Sequence, residues 1–248
     1  MNIIGSGMIV FINGPFKYLH SIGDYCAAIY CSSFGFCIAL LANHFVYRYI
    51  AICKPHQLYE YERIRMLKFS ILPIIMGVGW FFAVQYLGAP STAKADYLRT
   101  EIKSTHGVDI NDLYYISFLY YYKETNGKFV ISWKDLAGCF ICCVEMIFSN
   151  TLIVICGWKT YKCSIEVEAV SQKTQDLNDQ LFKVLLLQTV FPVVLMFIPV
   201  GLLCVLPIFE IDVGVVANLP ALTVSIYPGM DAFVAILMIR DFRNALIC

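Results

Sequence analysis

The stretch CSSFGFCIALLANHFVYRYIAICKP, residues 31–55, decides how the rest of the sequence is interpreted. It continues an apolar run that begins at about residue 22 and is long enough to cross a bilayer, for which about 20 residues suffice. The run ends in Tyr47, Arg48 and Tyr49, so a cation stands where a membrane helix would leave the hydrocarbon. Two interpretations of Arg48 follow from these residues: an anchor at the lipid headgroups, or a contact for a partner at the membrane surface.

Composition extends the membrane interpretation to the whole chain. Hydrophobic residues make up 59% of the 248 residues and charged residues 15%, and the mean hydropathy is +0.70. Soluble domains are closer to half apolar and a quarter charged. The excess lies in five segments, at about 22–50, 70–89, 136–158, 183–209 and 215–239. Because backbone groups in lipid must be satisfied internally, each is predicted to be a helix of an all-α, multi-pass membrane protein.

Charge predicts the orientation of these helices. One side of the membrane would carry eleven Lys and Arg residues, among them Arg48, and the other side seven, six of them in the loop 90–135. Cytoplasmic loops carry the excess of positive charge. The bias predicts that Arg48 and the C-terminus are cytoplasmic and that 90–135 is extracellular. Residues 1–21 are too short and too Gly-rich to span, and they are predicted to form an extracellular loop or short strand preceding a membrane domain at 22–248.

Several functional classes find no support in the residues. The formal net charge is zero and no basic patch appears, which argues against a nucleic-acid partner. The four histidines are scattered without metal-ligand spacing, so no metal and no cofactor is predicted. Glu145 and Asp231 are the intramembrane carboxylates, but neither has the Gly-rich context of an aspartyl protease dyad. No catalytic residues are therefore predicted.

Glu145 is the ionisable side chain that most needs an explanation. It lies nine residues beyond Leu136, which is ~13 Å into its predicted helix at 1.5 Å per residue. A carboxylate at that depth is costly unless it faces the bundle interior and finds a partner. Glu145 could therefore contribute to a ligand cavity with Ser149, or it could be a protonated residue hydrogen-bonded to a neighbouring helix. Aromatic residues at the outer helix ends, including Tyr30 and Phe34, could line the same cavity.

Three blocks, in this order, resemble one family. The stretch at 31–55 is similar to the third helix and following loop of nematode seven-transmembrane chemoreceptors of the Str type, serpentine receptor class r. SQKTQDLNDQLFKVLLLQTVFPVVLMFIP, residues 171–199, resembles that family's third cytoplasmic loop and sixth helix. YPGMDAFVAILMIRDFRNAL, residues 227–246, resembles its seventh helix and tail. The resemblance implies a rhodopsin-like bundle of which five of seven helices are present.

The resemblance implies functions for particular residues. The Tyr-Arg-Tyr stands where rhodopsin-like receptors keep Asp-Arg-Tyr, although Tyr47 replaces the acid and puts an ionic lock through that position in doubt. The residues implied in G-protein coupling are Tyr47, Arg48, Tyr49, Lys54 and Pro55. Those implied in ligand binding are Glu145, Ser149, Phe34 and Tyr30, and those in an activation hinge are Pro199, Pro228 and Asp231.

The expected function is that of a chemosensory, olfactory-type receptor. Its expected location is the cell membrane, including that of a sensory-neuron cilium. Its partners would be a small odorant-like ligand, a heterotrimeric G protein and the lipid bilayer. A transporter or ligand-gated channel subunit is the competing class, although no internal repeat supports a transporter. The family's first two helices have no counterpart here, and the expected cause is an incomplete gene model or a truncated product. We therefore also expect that the 248 residues alone do not signal.

Overall fold

The apolar segments are helical in the computed structural model, as predicted. The structure describes residues 2–11, 23–56, 62–124, 127–166, 182–184, 186–187, 189–211, 213–219, 222, 223, 226, 229, 233, 236 and 237. The α-helices whose bounds the structure describes are α1 (Gly23–Cys53), α2 (Glu62–Phe82), α3 (Thr92–His106), α4 (Trp133–Glu166) and α5 (Ile198–Val205). Among the described residues, four segments are long and apolar enough to cross a membrane: Tyr25–Cys53, Phe69–Leu87, Trp133–Cys163 and Phe182–Phe209. Four of the five predicted spans are thus helical and long enough to cross a membrane, and most of 215–239 lies outside the described residues.

Helix α4 shows why these segments suit a bilayer. Phe140, Ile147 and Val154 recur every seventh residue and are each more than 60% exposed. Residues seven apart lie on one face of an α-helix, so α4 presents an apolar stripe along its length. Such a stripe would be unfavourable in water and is compatible with lipid tails.

Two π-helical turns interrupt the regular helices. Ala83–Leu87 continues α2 and ends at Gly88, whereas Val193–Phe197 follows Pro192 and leads into α5. Proline has no amide N–H to donate within a helix, and the backbone rearranges around it. Single π-turns of this kind are often found at functional positions.

The chain divides into two compact units. The first contains Met1–Ile38, Ile74–Ile147 and Val200–Leu219, and the second contains Ala39–Pro73, Phe148–Pro199 and Pro220–Cys248. In the second unit, aromatic contacts join neighbouring helices: Tyr47 meets Phe69 at 6.1 Å between ring centroids, and Tyr161 meets Phe182 at 6.0 Å.

The segment preceding α1 is a hairpin. Strands β1 (Asn2–Ile4) and β2 (Gly7–Phe11) pair antiparallel with Ile4 opposite Gly7. The turn needs a positive φ at its first central residue, which Gly5 provides at +52°. The Tyr97 hydroxyl packs against Gly5 where a Cβ would stand, and it lies 3.3 Å from the amide nitrogen of Ser6. Of the two predicted alternatives, loop or short strand, residues 2–11 adopt the strand.

Residues 90–132 form a small folded layer with this hairpin. Strand β3 (Tyr115–Leu119) pairs antiparallel with β2, giving the sheet order β1-β2-β3, and β4 (Tyr121–Lys123) pairs with β5 (Phe129–Ile131). Helix α3 packs on the sheet through Leu98 and Ile102, which are fully buried against Ile9 and Ile110. The three-stranded sheet β1-β2-β3, together with helix α3 packed on it, is called the cap below. The segment predicted as a long extracellular loop thus contains a folded layer, because alternate strand residues and one face of α3 bury a shared apolar core.

An ion pair is buried beneath the cap. The Lys94 ammonium lies 2.5 Å from Asp135 Oδ1, and it donates hydrogen bonds to the carbonyl oxygens of Ala89 at 2.9 Å and Ser117 at 2.7 Å. Ser132 donates to the other carboxylate oxygen at 2.5 Å. Burial lowers the pKa of Lys94, and its hydrogen bond and charge attraction to Asp135 oppose this fall. The three acceptors match the three N–H donors of an ammonium, so the charge remains satisfied away from water.

Candidate functional site

A cavity lies inside the first unit, between the cap and the helices. Its volume is about 60 Å³. Strands β2 and β3, helices α1, α2, α4 and α5, and the π-turn after α2 all contribute to its wall. The lining residues are Met8, Val10, Cys31, Phe34, Trp80, Val84, Ile116, Phe118, Cys139, Cys142, Val200, Leu203 and Cys204.

The spacing of these residues follows from the elements that carry them. The strand residues alternate, as in Ile116 and Phe118, because successive side chains point to opposite faces of a sheet. The helical residues recur three or four apart, as in Cys31 and Phe34 or Cys139 and Cys142, because such residues share a helix face. One strand face and one stripe of each helix thus converge on the same space.

The cavity suits a small, predominantly apolar ligand. Its wall is made of hydrocarbon, aromatic and thiol groups and includes no charged side chain. A water molecule needs roughly 10–15 Å³ of such volume, so the cavity has room for about five groups of that size. Ligand pockets are usually lined in this way, with few polar groups setting orientation.

Gly35 determines how closely one wall of the cavity approaches another. A Cβ on Gly35 would lie 2.6 Å from the Trp80 ring. Because real Cβ atoms do not approach ring atoms that closely, any side chain at this position would displace the indole. The absence of a side chain at 35 therefore lets Trp80, which is 5% exposed, close the wall against α1.

The structure brings only some of the predicted ligand-binding residues to this cavity. Phe34 lines it, and Tyr30 packs against Phe34 edge to face with centroids 5.4 Å apart. Glu145 is half-buried near Gly79 and is not part of the wall. It lies one turn beyond Cys142, which does line the cavity, and 12 residues from the start of α4, or ~18 Å along the helix. Ser149 is fully buried and likewise outside the wall.

The residues implied in G-protein coupling lie at the end of α1, in the second unit. Tyr47 is 40% exposed, and Arg48 and Tyr49 are half-buried. The Tyr49 ring has the Lys54 ammonium 5.8 Å and the Lys159 ammonium 5.7 Å from its centroid, distances typical of cation–π contacts. Lys54 and Pro55 are exposed just after the helix ends at Cys53.

The hinge residues are only partly described. Pro199 is half-buried in α5, two residues after the π-turn Val193–Phe197. Pro228 and Asp231 lie outside the described residues. The backbone irregularity near Pro199 is a feature that hydropathy does not predict.

Most cavity residues were missed from the sequence. The signal for Cys139 and Cys142 was their three-residue spacing at the start of an apolar helix, but that pattern equally describes packing residues. Met8, Val10, Ile116 and Phe118 carry a two-residue alternation that would have indicated strands. Their convergence depends on pairing between strands more than 100 residues apart, which periodicity cannot predict.

Comparison with known proteins identifies the family. The sequence profile described as serpentine type 7TM GPCR chemoreceptor Str matches residues 1–247. Serpentine receptor class r-10 of Caenorhabditis briggsae is 32% identical over 98% of this chain and 72% of its own length. The Caenorhabditis elegans protein of the same name is also 32% identical, over 99% and 73% respectively.

A more distant relative extends the same comparison. G-protein coupled receptor str-33 of Caenorhabditis elegans is 24% identical over 88% of this chain and 64% of its own length. No solved structure matches the chain. The profile match over nearly all residues, together with the apolar helices, shows that this chain belongs to the serpentine-type seven-transmembrane chemoreceptor family Str.

Proposed function

We propose that this chain acts in a chemosensory receptor that binds a small, largely apolar molecule and activates a heterotrimeric G protein. The observation that carries the proposal is the apolar cavity whose wall combines the cap strands with four helices. A ligand there contacts several helices at once. It can therefore favour one arrangement of the bundle over another by its differential contacts.

The activation step is proposed to follow from population shift. Ligand binding favours a state in which the helix containing Pro199 moves and Arg48 becomes available to the Gα subunit. The irregular backbone of the π-turn Val193–Phe197 supports a hinge in this region. The Tyr49 ring between Lys54 and Lys159 supports an ordered, cationic helix end next to Arg48.

The proposed orientation places the cap outside the cell and Arg48 inside. In a cysteine-free background, an impermeant thiol reagent on intact cells is expected to label a cysteine at Asn111, which is exposed in the cap segment, and not one at position 175. The reverse labelling would contradict the orientation. We further propose the plasma membrane of a sensory neuron, including its cilium, as the site of action.

Filling the cavity tests the ligand site directly. Leu203 lines the cavity and is 4% exposed, whereas its neighbour Leu202 is 49% exposed. We expect Leu203→Phe to raise the half-maximal ligand concentration at least about tenfold, which corresponds to ~1.4 kcal/mol. Leu202→Phe makes the same substitution at the adjacent, exposed position and should leave the response unchanged. The measurement is a dose-response curve from a G-protein reporter.

The outcome is interpreted at equal surface expression, because overpacking a core costs about 1–3 kcal/mol of stability. Surface labelling of both variants provides this control. Equal dose-response curves for Leu203→Phe and wild type, at equal surface amounts, would show that ligands do not use this cavity.

Glu145 is retained as a proposed contributor to ligand recognition. Its Oε2 is buried without a hydrogen-bond partner among the described residues, and Oε1 would lie 2.9 Å from a Cβ on Gly79. A ligand with a hydrogen-bond donor would satisfy this oxygen. We expect Glu145→Gln to weaken responses to donor-bearing ligands and to spare purely apolar ones. Equal changes for both ligand types would assign Glu145 a structural role.

A further inference from the structure

Three cysteine thiols converge at the cavity wall, which includes two of them, Cys139 and Cys204. Cys139 and Cys143 stand one turn apart on α4, and Cys204 approaches from α5. The three Sγ atoms all lie within 4.8 Å of one another. Cys139 and Cys204 are buried, Cys143 is half-buried, and all three are free thiols in the first unit.

The dimensions of this cluster fit a metal ion. A thiolate binds Zn²⁺ at about 2.3 Å, and three sulfurs around one ion at that distance are about 3.8–4.0 Å apart. The thiols are already within about 1 Å of that separation, so side-chain rotations could close them around an ion. Two of the ligands come from one helix at i and i+4, a spacing that places both on the same face.

The donor set determines which ions would bind. The cluster offers only sulfur, with no carboxylate or imidazole among its three members. Soft thiolates select Zn²⁺ or Cu⁺, whereas Mg²⁺ and Ca²⁺ prefer oxygen. Both Zn²⁺ and Cu⁺ have filled d shells and accept the geometry that the protein offers.

Tyr120 joins the two chain segments that carry the thiols. Its hydroxyl lies 3.0 Å from Cys139 Sγ and 2.8 Å from the backbone oxygen of Cys204. The phenol has one proton, so it donates to the carbonyl while the thiol can donate to the phenol oxygen. Once Cys139 is a thiolate, the phenol becomes a donor for the sulfur. Such outer partners orient metal ligands.

We propose that Cys139, Cys143 and Cys204 form a binding site for one thiophilic metal ion, Zn²⁺ or Cu⁺. Each thiol that coordinates the ion as a thiolate releases its proton to solvent. The bound ion cross-links α4 to α5 beside the cavity. The site rests on the geometry of the first unit, and its test measures metal binding without requiring receptor activity.

The test uses the full 248-residue chain in lipid nanodiscs, stripped of metal and titrated separately with Zn²⁺ and with Cu⁺ against a competing chelator. We expect one equivalent of Zn²⁺ or of Cu⁺ per chain at saturation. Tyr120→Phe should weaken binding about 10- to 100-fold, and Cys143→Ser should weaken it further because a ligand is lost. Cys156→Ser, which alters a buried thiol of α4 outside both the cluster and the cavity wall, should bind as wild type does.

Two results would overturn the site: wild type taking up well under one equivalent of both ions, or Cys143→Ser binding as tightly as wild type. Thermal melting of each variant monitors folding. If Cys143→Ser does not fold, the wild-type stoichiometry and the Tyr120→Phe affinity decide the question. An unchanged affinity in Tyr120→Phe, with a full equivalent in wild type, would remove the positioning role of Tyr120.

Discussion

Replacing Arg48 with alanine is expected to abolish G-protein activation while leaving ligand binding intact. Arg48 lies in the last two turns of α1, and the next residue, Tyr49, contacts the ammonium groups of Lys54 and Lys159. Arginine presents five N–H donors in a planar fork, which suits it to bind backbone carbonyls and carboxylates of a partner. Losing a buried charged contact at an interface costs about 2–5 kcal/mol, so coupling should fall at least about 30-fold. The measurement is ligand-dependent nucleotide exchange on Gα.

The control for this variant is another arginine. Arg99 is exposed on α3, in the segment predicted to lie on the opposite side of the membrane, and Arg99→Ala should couple normally. Arg48→Lys keeps the charge but loses the fork, so we expect partial coupling. Normal signalling by Arg48→Ala at normal surface expression would leave Arg48 as a lipid anchor and contradict the proposed contact.

Breaking the buried ion pair beneath the cap is expected to cause the largest loss of stability. Lys94→Met leaves the Asp135 carboxylate uncompensated in surroundings where its side chain is 2% exposed. Removing one partner of such a pair costs about 3–5 kcal/mol. For a chain of this size that lowers the melting temperature by roughly 10 °C. The double variant Lys94→Met/Asp135→Leu removes both charges and should recover much of the loss, as thermal unfolding in nanodiscs would reveal.

The same helix supplies a matched comparison. Arg99 and Asp96 form an exposed pair 3.9 Å apart on α3, with side chains 45% and 74% exposed. Solvent screens such a pair, so Arg99→Met should change stability by about 0–1 kcal/mol. If Lys94→Met and Arg99→Met have equal melting temperatures, the buried pair does not hold the cap in place.

The membrane architecture could be predicted because hydropathy acts locally along the chain. A run such as Trp133–Cys163 is apolar whatever it packs against, so length and composition are sufficient to assign it. The cap depends on different information. Ser91 caps the N-terminus of α3, and Gly107 ends the helix in the left-handed conformation. Both residues are start and stop signals that a sequence shows for a helix, although the prediction for this segment was a loop. The pairing of β2 with β3 has no local signal.

For the candidate site, too, local features could be predicted and contacts between distant segments could not. Phe34 was predicted at the cavity because aromatic residues near the helix ends are expected there, and it lies on the wall. Lys94 is one of the six basic residues of 90–135 that enter the prediction of orientation, and the structure buries it against Asp135, which the sequence does not indicate. The approach of Cys204 to Cys139 and Cys143 requires two helices to be packed first, so neither spacing nor composition reveals it.

Strand β2 is synthesised well before β3, the strand with which it pairs. Phe11 pairs with Tyr115 and Gly7 with Leu119, so more than 100 residues separate the two strands. At about 5–20 residues per second, β3 leaves the ribosome roughly 5–20 s after β2. During that interval the hairpin has an open edge, which invites pairing with other chains. In the proposed orientation this edge is exposed in the lumen of the endoplasmic reticulum, so biogenesis should depend on luminal chaperones that bind extended segments until the sheet closes.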